Sequence, residues 1–377
     1  MTEDDLPTPC FLLDAARLRA NLETAQRLRE EAECKVLLAT KAFALPAAFP
    51  MMRGYLDGTT ASGEHEAMLG AEAFGKEVHV YSPAYTQGEV ERLTEIAQHI
   101  YFNSAEQLGQ FGSIARGAGC QVGLRINPGY SNATLGGDLY DPCAPGSRFG
   151  EVASKLNLID WSKVDILHVH TLCESLHDGS VGLINHVAKN FASEVSMVNA
   201  VNFGGGHFLN KPGYDLDALI KAIKAFKAEF GVEVVLEPGA GLVVNTGELH
   251  ASVLALHWNE DDLAILDASA STHMPDVLEV PYRPEIIGAG KAGEKAHTYT
   301  LGGKTCMTGD VIGKYSFDTP LKPGDRLIFT DQMHYSFVKT NTFNGTPLAN
   351  LAIRQEDGRI EMLSDFGYAE FRRRLGN

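Results

Sequence analysis

The sequence lacks the features of secreted and membrane-spanning proteins. Its six cysteines are scattered and none forms a Cys-x-x-Cys pair, so neither a disulfide framework nor a closely spaced zinc site is indicated. No apolar run approaches the roughly 20 residues that a membrane-spanning helix needs. The acidic start MTEDDLPTPCFLLD has no signal-peptide core. We therefore expect reduced thiols, a cytoplasmic location and no membrane partner.

Positive charge is also scarce. The 32 Lys and Arg side chains are outnumbered by 48 Asp and Glu, which gives a net charge of −16. Such a field repels nucleic acid and anionic lipid and favours small cationic ligands. The composition therefore argues against a nucleic-acid partner. A chain of 377 residues is too long for one small core, so we expect two domains.

Eight short apolar runs alternate with stretches of helical character between residues 34 and 240. They are Cys34–Lys41, Asp57–Ser62, Glu77–Pro83, His99–Ser104, Cys120–Pro128, Val164–Thr171, Met197–Gly206 and Val232–Gly239. Parallel strands need crossover connections, which helices between the runs provide. The pattern predicts a (β/α)8 TIM barrel over residues 26–245. An open doubly wound sheet with eight strands is the alternative.

The sequence pattern changes after Gly241. Runs such as GELHASVLALHW and DRLIFTDQ alternate in polarity and are separated by Gly, Pro and Asp turns, which is typical of antiparallel strands. The opening TPCFLLD also has strand character. We therefore predict an all-β domain, a sandwich or barrel, formed by residues 1–25 and 246–377.

Three features fall at the ends of predicted barrel strands. Lys41 ends the first run, where partial burial lowers the pKa of a lysine and suits it to Schiff-base formation; a surface lysine is the commoner explanation for one such residue alone. The glycines of NFGGGH (204–206) end the seventh run and leave N–H groups open to a phosphate, or form a tight turn. Glu237 ends the eighth run and can pair with a pyridine nitrogen. Together they describe a pyridoxal-phosphate site.

His168 and His170 lie two residues apart on the sixth predicted strand, so their side chains share one face. They can form a metal pair, or pack against a flat cofactor, or fill the barrel interior. Barrel hydrolases carry such a metal pair on the first strand, whereas the first strand here ends in Lys41. We expect no metal.

Two further segments of the β domain carry candidate residues. GGKTCMTGD contains Cys306 and Asp310, and a lone cysteine of this kind is more often an inert thiol. In STHMPDVLEVPYRP, Asp276 and Glu279 lie three apart in a predicted loop between Pro275 and Pro281. The two carboxylates are either solvated or arranged to bind two ammonium groups.

The ordered set of motifs resembles the fold-type III pyridoxal-phosphate decarboxylases, the alanine-racemase-like group that includes ornithine and diaminopimelate decarboxylases. The motifs are KAF at Lys41, SRFG at Arg148, HVHTLCES at His170, FGGGH at Gly204, EPGAG at Glu237, CMTGD at Cys306 and HYSF…TFNG at Tyr335. Within the group, HTLCES, HMPDVLE, YRPEI and TCMTGD resemble the members that decarboxylate carboxynorspermidine and carboxyspermidine. Ala240 and Met307 depart from the ornithine and diaminopimelate enzymes, which indicates a different substrate head group.

The resemblance implies a role for each residue. Lys41 holds pyridoxal 5′-phosphate as a Schiff base, His170 stacks on the ring, and Glu237 pairs with the pyridine nitrogen. Cys306 protonates the substrate carbon across the interface of a head-to-tail homodimer with shared active sites. The implied phosphate-binding residues are Gly204, Gly205, Gly206, Gly239 and Tyr335. The implied substrate-binding residues are Glu174, Asp276, Glu279 and Asp310.

The expected activity is therefore pyridoxal-dependent decarboxylation of a carboxylated polyamine in polyamine biosynthesis. The alternatives are a diaminopimelate- or ornithine-type decarboxylase, a metal-dependent barrel hydrolase, and a binding protein that has lost catalysis. Thr59 and Thr60 stand where relatives carry an acidic residue near the lysine, a difference that the sequence does not explain.

Overall fold

The computed structural model describes residues 2–133, 140–280 and 282–376. The chain divides into two compact units. The barrel unit is Arg19–Leu242, and the β unit consists of the residues up to Leu18 and from Val243 onward. The predicted boundaries, 25/26 and 245/246, lie a few residues further along the chain. Over the described residues, no helix has the length and apolar character needed to cross a membrane.

The barrel unit is built on a ring of eight parallel strands within the described residues. They are Lys35–Ala39, Gly58–Ala61, Glu77–Tyr81, His99–Phe102, Gln121–Asn127, Ile166–His168, Ala200–Asn202 and Glu233–Leu236. Each strand pairs with the next, and the eighth pairs with the first. The predicted (β/α)8 barrel is confirmed, because an open sheet would leave two strands unpaired on one side.

Helices cover the barrel strands on the outside of the ring, as parallel strands require. The helical segments are Ala15–Ala32, Phe49–Met52, Glu64–Leu69, Gly70–Phe74, Gln87–Leu93, Ala105–Gly117, His177–Asn190, Ala192–Val195, Leu216–Phe230 and Ala240–Val243. The side chains of Thr86, Ser104 and Asp215 accept hydrogen bonds from backbone N–H groups in the first turns of the helices that follow them. Because the strands are parallel, the segments after them open at one mouth.

The β unit contains one mixed sheet rather than a purely antiparallel one. Its strands are Cys10–Asp14, Gly247–Asn259, Asp261–Leu266, Gly290–Lys291, His297–Gly302, Val311–Phe317, Arg326–Thr330, Asn350–Arg354 and Ile360–Ser364. Its short helices are Ala270–His273, Asp276–Glu279, Tyr335–Val338 and Tyr368–Arg374. Cys10–Asp14 runs parallel to Asn350–Arg354, and Asp261–Leu266 runs parallel to His297–Gly302. The predicted β domain is confirmed. Its parallel pairs join strands that are distant in the chain, and the alternation of apolar and polar residues within one strand does not reveal such pairs.

A tyrosine occupies the interior of the barrel. Tyr101 is fully buried on the fourth strand and clusters with Tyr81, Ile166 and Ala200. Gly123 on the neighbouring fifth strand makes room for it, because a Cβ at this position would overlap the Tyr101 ring. The interior is therefore packed around an aromatic and polar side chain instead of the usual layers of branched aliphatic residues.

We expect Gly123→Ala to destabilise the apoprotein by about 1–3 kcal/mol, since the added methyl group overpacks the barrel interior. Gly109→Ala is the matched control, because Gly109 lies in the helix Ala105–Gly117 with no atom near its ideal Cβ position. Alanine there should be neutral or stabilise by about 0.5–1 kcal/mol. Urea unfolding followed by circular dichroism measures both changes. Equal stability of the two variants would contradict the packing described for Tyr101.

Candidate active site

Lys41 lies in the turn that follows the first barrel strand. Burial and the neighbouring Arg125 guanidinium lower the pKa of its amine, while Glu237 and Glu66 act in the opposite direction. Glu66 accepts hydrogen bonds from Thr40 Oγ1 at 3.1 Å and from Ser62 N at 2.6 Å. Glu66 is therefore an acidic side chain held near Lys41.

Glu237 follows the eighth strand and is 3% exposed. Its Oε1 accepts a hydrogen bond from Asn202 Nδ2 at 2.7 Å, and its Oε2 lies 3.6 Å from His168 Nε2. Burial raises the pKa of the Glu237 carboxyl, but His168 and His170 outweigh burial and hold that pKa well below its usual range. The buried side chain is thus a carboxylate, with Oε2 facing the mouth residues.

His170 lies beside the glycine segment. Gly205 N–H donates to His170 Nδ1 at 3.2 Å, so Nδ1 is an acceptor and the ring carries its proton on Nε2. Burial, with Lys41, lowers the pKa of His170 well below its usual value. A neutral, flat imidazole at this position suits stacking on an aromatic cofactor.

Two backbone N–H groups at the mouth, one in the glycine segment and one after the eighth strand, are suited to an anion. Gly206 and Gly239 donate no backbone hydrogen bond to any of the described residues. Gly204 and Gly206 adopt φ values of +66° and +88°, and a Cβ on either would overlap His170 or Leu172. The segment therefore requires glycine for its conformation and close packing, and it leaves donors free for a phosphate.

Arg125, Asn202 and Tyr101 are site residues that the sequence reasoning missed. The Arg125 guanidinium lies between the rings of Tyr81 and Phe149, at 4.5 and 4.6 Å from their centroids, and donates to His170 O at 2.6 Å. An arginine in the buried run QVGLRIN was an available signal, because a charged residue seldom lies inside a strand without a partner.

The segment after the sixth strand carries Cys173 and Glu174. Burial and Glu174 raise the pKa of the Cys173 thiol, while Lys41 acts in the opposite direction. Glu174 is exposed and adopts a φ of +44°, an uncommon conformation for glutamate. The structure thus brings Lys41, His170, Glu237 and the glycine segment to one mouth, with Glu174 on an adjoining loop.

In the β unit, Cys306 and Asp310 lie in one loop. Cys306 is exposed, and its N–H donates to Asn344 Oδ1 at 2.7 Å. Asp310 is buried and accepts hydrogen bonds from Ser269 Oγ at 2.8 Å and Thr305 Oγ1 at 2.6 Å. Asp310 therefore holds the segment that carries Cys306, and its contact with substrate stays a prediction.

Asp276 and Glu279 form a short helix, Asp276–Glu279, instead of the expected loop; Pro281 lies outside the described residues. Asp276 is 5% exposed, and its Oδ2 accepts from Tyr282 OH at 2.5 Å and Ser336 Oγ at 2.9 Å. Its Oδ1 is buried without a hydrogen-bond partner. Glu279 is half-exposed and forms an ion pair with Lys339.

Tyr335, the predicted phosphate-binding tyrosine, begins the short helix Tyr335–Val338. This helix also contains Ser336, the partner of Asp276, so the structure brings the predicted phosphate-binding tyrosine and the predicted tail-binding carboxylate to one region of the β unit. The phosphate-binding role of Tyr335 stays a prediction.

The barrel, the partly buried lysine at its mouth and the acid beside a glycine segment define a pyridoxal-phosphate enzyme. The family model described as "Pyridoxal-dependent decarboxylase, C-terminal sheet domain" matches residues 13–332. The chain belongs to this family of pyridoxal-dependent decarboxylases, which decides against the barrel-hydrolase alternative.

Two relatives and one solved structure are similar to this chain over nearly its full length. The carboxyaminopropylagmatine decarboxylase of Synechocystis sp. is 41% identical, with 98% of this chain and 96% of the relative covered. The carboxynorspermidine/carboxyspermidine decarboxylase of Campylobacter jejuni is 37% identical, with 98% and 99% covered. The crystal structure of carboxynorspermidine decarboxylase from Campylobacter jejuni, complexed with norspermidine, has a TM-score of 0.90 at 36% identity and covers 98% of this chain and 100% of that one.

We expect Lys41→Ala to lose the visible absorbance of lysine-bound pyridoxal phosphate and nearly all turnover, because the substitution removes the amine that would bind the cofactor covalently. Borohydride reduction fixes the cofactor to its lysine, and peptide mapping then identifies that lysine. In the parent, the reduced cofactor should be attached to Lys41. If the Lys41→Ala variant still carried covalently attached cofactor after reduction and dialysis, another lysine would be the attachment site.

Proposed function

We propose that this enzyme decarboxylates carboxynorspermidine or carboxyspermidine and releases norspermidine or spermidine, as a step of polyamine biosynthesis. The observation that carries the proposal is the near-complete structural match to the Campylobacter jejuni enzyme bound to norspermidine. The net charge of −16 also favours a cationic substrate. All six cysteines are free, which is consistent with work in the cytoplasm.

When bound, pyridoxal phosphate would supply an electron sink for the loss of the substrate carboxylate as CO2. The residues at the mouth fit this group. Lys41 offers an amine of lowered pKa for its covalent attachment. His170 offers a neutral ring face, and Glu237 holds a carboxylate for the pyridine nitrogen. Gly206 and Gly239 offer free N–H donors to the phosphate.

Cys306 has the role of proton donor in this proposal. The bond from Cys306 N–H to Asn344 Oδ1 fixes the backbone beside the thiol. The thiol proton passes to the substrate carbon that has lost CO2, and the amine product then leaves. The Cys306 thiol is exposed on the isolated chain, so it is accessible to the active site of a second chain.

A second candidate substrate is carboxyaminopropylagmatine, which the 41% identity to the Synechocystis enzyme favours. Its guanidinium end differs from the ammonium end of a carboxylated polyamine. A guanidinium binds both oxygens of a carboxylate side by side. Asp276 has both hydroxyl bonds on Oδ2 and only Oδ1 without a partner, which suits a single N–H donor from an ammonium group better.

Release of CO2 from a panel of substrates tests the proposal. The panel consists of carboxynorspermidine, carboxyspermidine, carboxyaminopropylagmatine, diaminopimelate and ornithine, each assayed with the purified pyridoxal-phosphate enzyme. We expect the highest kcat/KM with carboxynorspermidine or carboxyspermidine. A higher value with carboxyaminopropylagmatine would assign the second function, and a higher value with either amino acid would contradict both.

We expect Asp276→Asn to lower kcat/KM for carboxynorspermidine by about ten- to a hundredfold, because a charge-assisted hydrogen bond contributes about 1.5–3 kcal/mol. Asparagine keeps the acceptor that Tyr282 and Ser336 use, so the fold should persist. Glu279→Gln should have a smaller effect, since Lys339 already neutralises Glu279. Steady-state kinetics and the cofactor absorbance measure both. If each variant matched the parent, other residues would bind the polyamine tail.

We also propose that two chains form a head-to-tail homodimer with shared active sites. Mixing Lys41→Ala and Cys306→Ala chains, each inactive alone, should restore activity in roughly a quarter of the sites by random pairing of subunits. Native mass spectrometry confirms that mixed dimers have formed. Mixed dimers without activity would rule out a thiol contributed by the second subunit.

A further inference from the structure

We propose that Tyr101 and His79 are positioning residues for Glu237. A chain of hydrogen bonds that passes through Asn202 connects them to Glu237 across the barrel interior. The inference rests on the proposed pairing of Glu237 with the pyridine nitrogen and extends the site to residues that do not face the mouth.

The chain consists of five side chains in close succession. Asn202 Nδ2 donates to Glu237 Oε1 at 2.7 Å and to Tyr101 OH at 3.0 Å. Tyr101 OH lies 2.8 Å from His79 Nδ1, and His79 Nε2 lies 3.3 Å from Glu77 Oε2. Asn202, Tyr101 and His79 are fully buried, so water does not compete for these bonds.

Each hydrogen in the chain has one direction. Gly204 N–H donates to Asn202 Oδ1 at 2.8 Å, so the amide oxygen is engaged and both amide N–H bonds point to Glu237 and Tyr101. Because Tyr101 oxygen accepts from Asn202, its own O–H is left for His79 Nδ1. His79 then carries its proton on Nε2 and donates it to Glu77. Burial raises the pKa of Tyr101 well above its usual value, so the phenol stays a donor.

The chain determines which oxygen of Glu237 is available. Asn202 occupies Oε1, and Oε2 is left for the cofactor nitrogen. Without its bond to Tyr101, one Asn202 N–H would be buried without an acceptor, and the amide could leave its position to find one. The carboxylate would then lose its fixed orientation toward the pyridine nitrogen.

The other end of the chain lies at the opposite end of the barrel from Lys41. Lys35 and Glu77 begin the first and third strands, and Lys35 Nζ lies 2.8 Å from Glu77 Oε1. Together with His99 they line a cavity of about 700 Å³ at the amino-terminal ends of the strands. The ion pair with Lys35 thus fixes the position of the Glu77 carboxylate. That carboxylate in turn fixes the tautomer of His79.

Two observations favour a positioning role over a metal site at Glu77, His79 and His99. The rings of His79 and His99 stack at 3.8 Å with an angle of 15°, so their nitrogen lone pairs lie in nearly parallel planes and do not converge on one ion. Glu77 is also already paired with Lys35. In contrast, every bond from His79 to Glu237 has a donor and an acceptor.

Tyr101→Phe tests the chain directly. The variant and the parent are loaded with pyridoxal phosphate labelled with ¹⁵N in the ring, and the nitrogen chemical shift reports ring protonation across pH. We expect the shift of the variant to move toward the unprotonated value, and kcat to fall about tenfold with KM little changed. Tyr85→Phe is the matched control: Tyr85 is buried, and among the described residues its hydroxyl is hydrogen-bonded to backbone groups alone.

Two variants of His79 separate hydrogen bonding from packing. Asn retains an acceptor near the position of Nδ1 but fills less space, whereas Phe retains the stacking on His99 but offers no acceptor. We expect His79→Asn to keep a ring-nitrogen shift nearer the parent than His79→Phe. The opposite order would overturn the proposal, and the pair decides the question even if Tyr101→Phe does not fold.

Glu237→Gln distinguishes failure of this inference from failure of the Glu237 role. If Glu237→Gln leaves the ring nitrogen protonated, Glu237 is not its partner and the inference falls with it. If Glu237→Gln shifts the signal while Tyr101→Phe and both His79 variants do not, Glu237 acts alone and only the chain is wrong.

Discussion

The burial of one carboxylate, Glu237, is the constraint on which the site depends. An unpaired charge inside a protein is very costly, so a buried carboxylate needs donors fixed around it. The seventh strand supplies the Asn202 amide, which donates to Glu237, and the sixth places His168 Nε2 3.6 Å from Glu237 Oε2. These polar side chains occupy positions in the barrel interior where other barrels place aliphatic side chains. The polar interior thus follows from the need to keep one acid ionised beside a cofactor.

The same constraint explains the glycines and the small residues at the mouth. Gly204 N–H is the donor that engages the Asn202 oxygen, so the phosphate segment and the acid share one hydrogen-bond partner. A Cβ at Gly205 would overlap the Glu237 backbone, and a Cβ at Gly239 would overlap Ala42, next to Lys41. The lysine, the acid and the phosphate segment are therefore packed against one another, and a change in one position disturbs the other two.

The sequence allowed the barrel and Lys41, the glycines and Glu237 to be predicted because strand ends are a local property of the chain. Tyr101, Asn202 and Arg125 were missed because each lies in an apolar run and looks like part of a core strand. Their partners come from neighbouring strands, and the pairing across a closed barrel depends on how the strands are staggered. The helix at Asp276–Glu279 was mistaken for a loop because its flanking prolines resemble turn signals.

Burial lowers the pKa of the basic groups around the mouth and raises the pKa of the acid, and this difference gives the site its chemistry. It lowers the pKa of Lys41, helped by Arg125, and a neutral amine is the form that attacks a carbonyl. It lowers the pKa of His170 as well, which removes a positive charge that would oppose the protonated pyridine ring. For Glu237, burial raises the pKa, but His168 and His170 outweigh it and hold that pKa well below its usual range. One carboxylate thus faces a site in which the pKa values of Lys41 and His170 are both lowered, and that arrangement favours a protonated ring that accepts electrons.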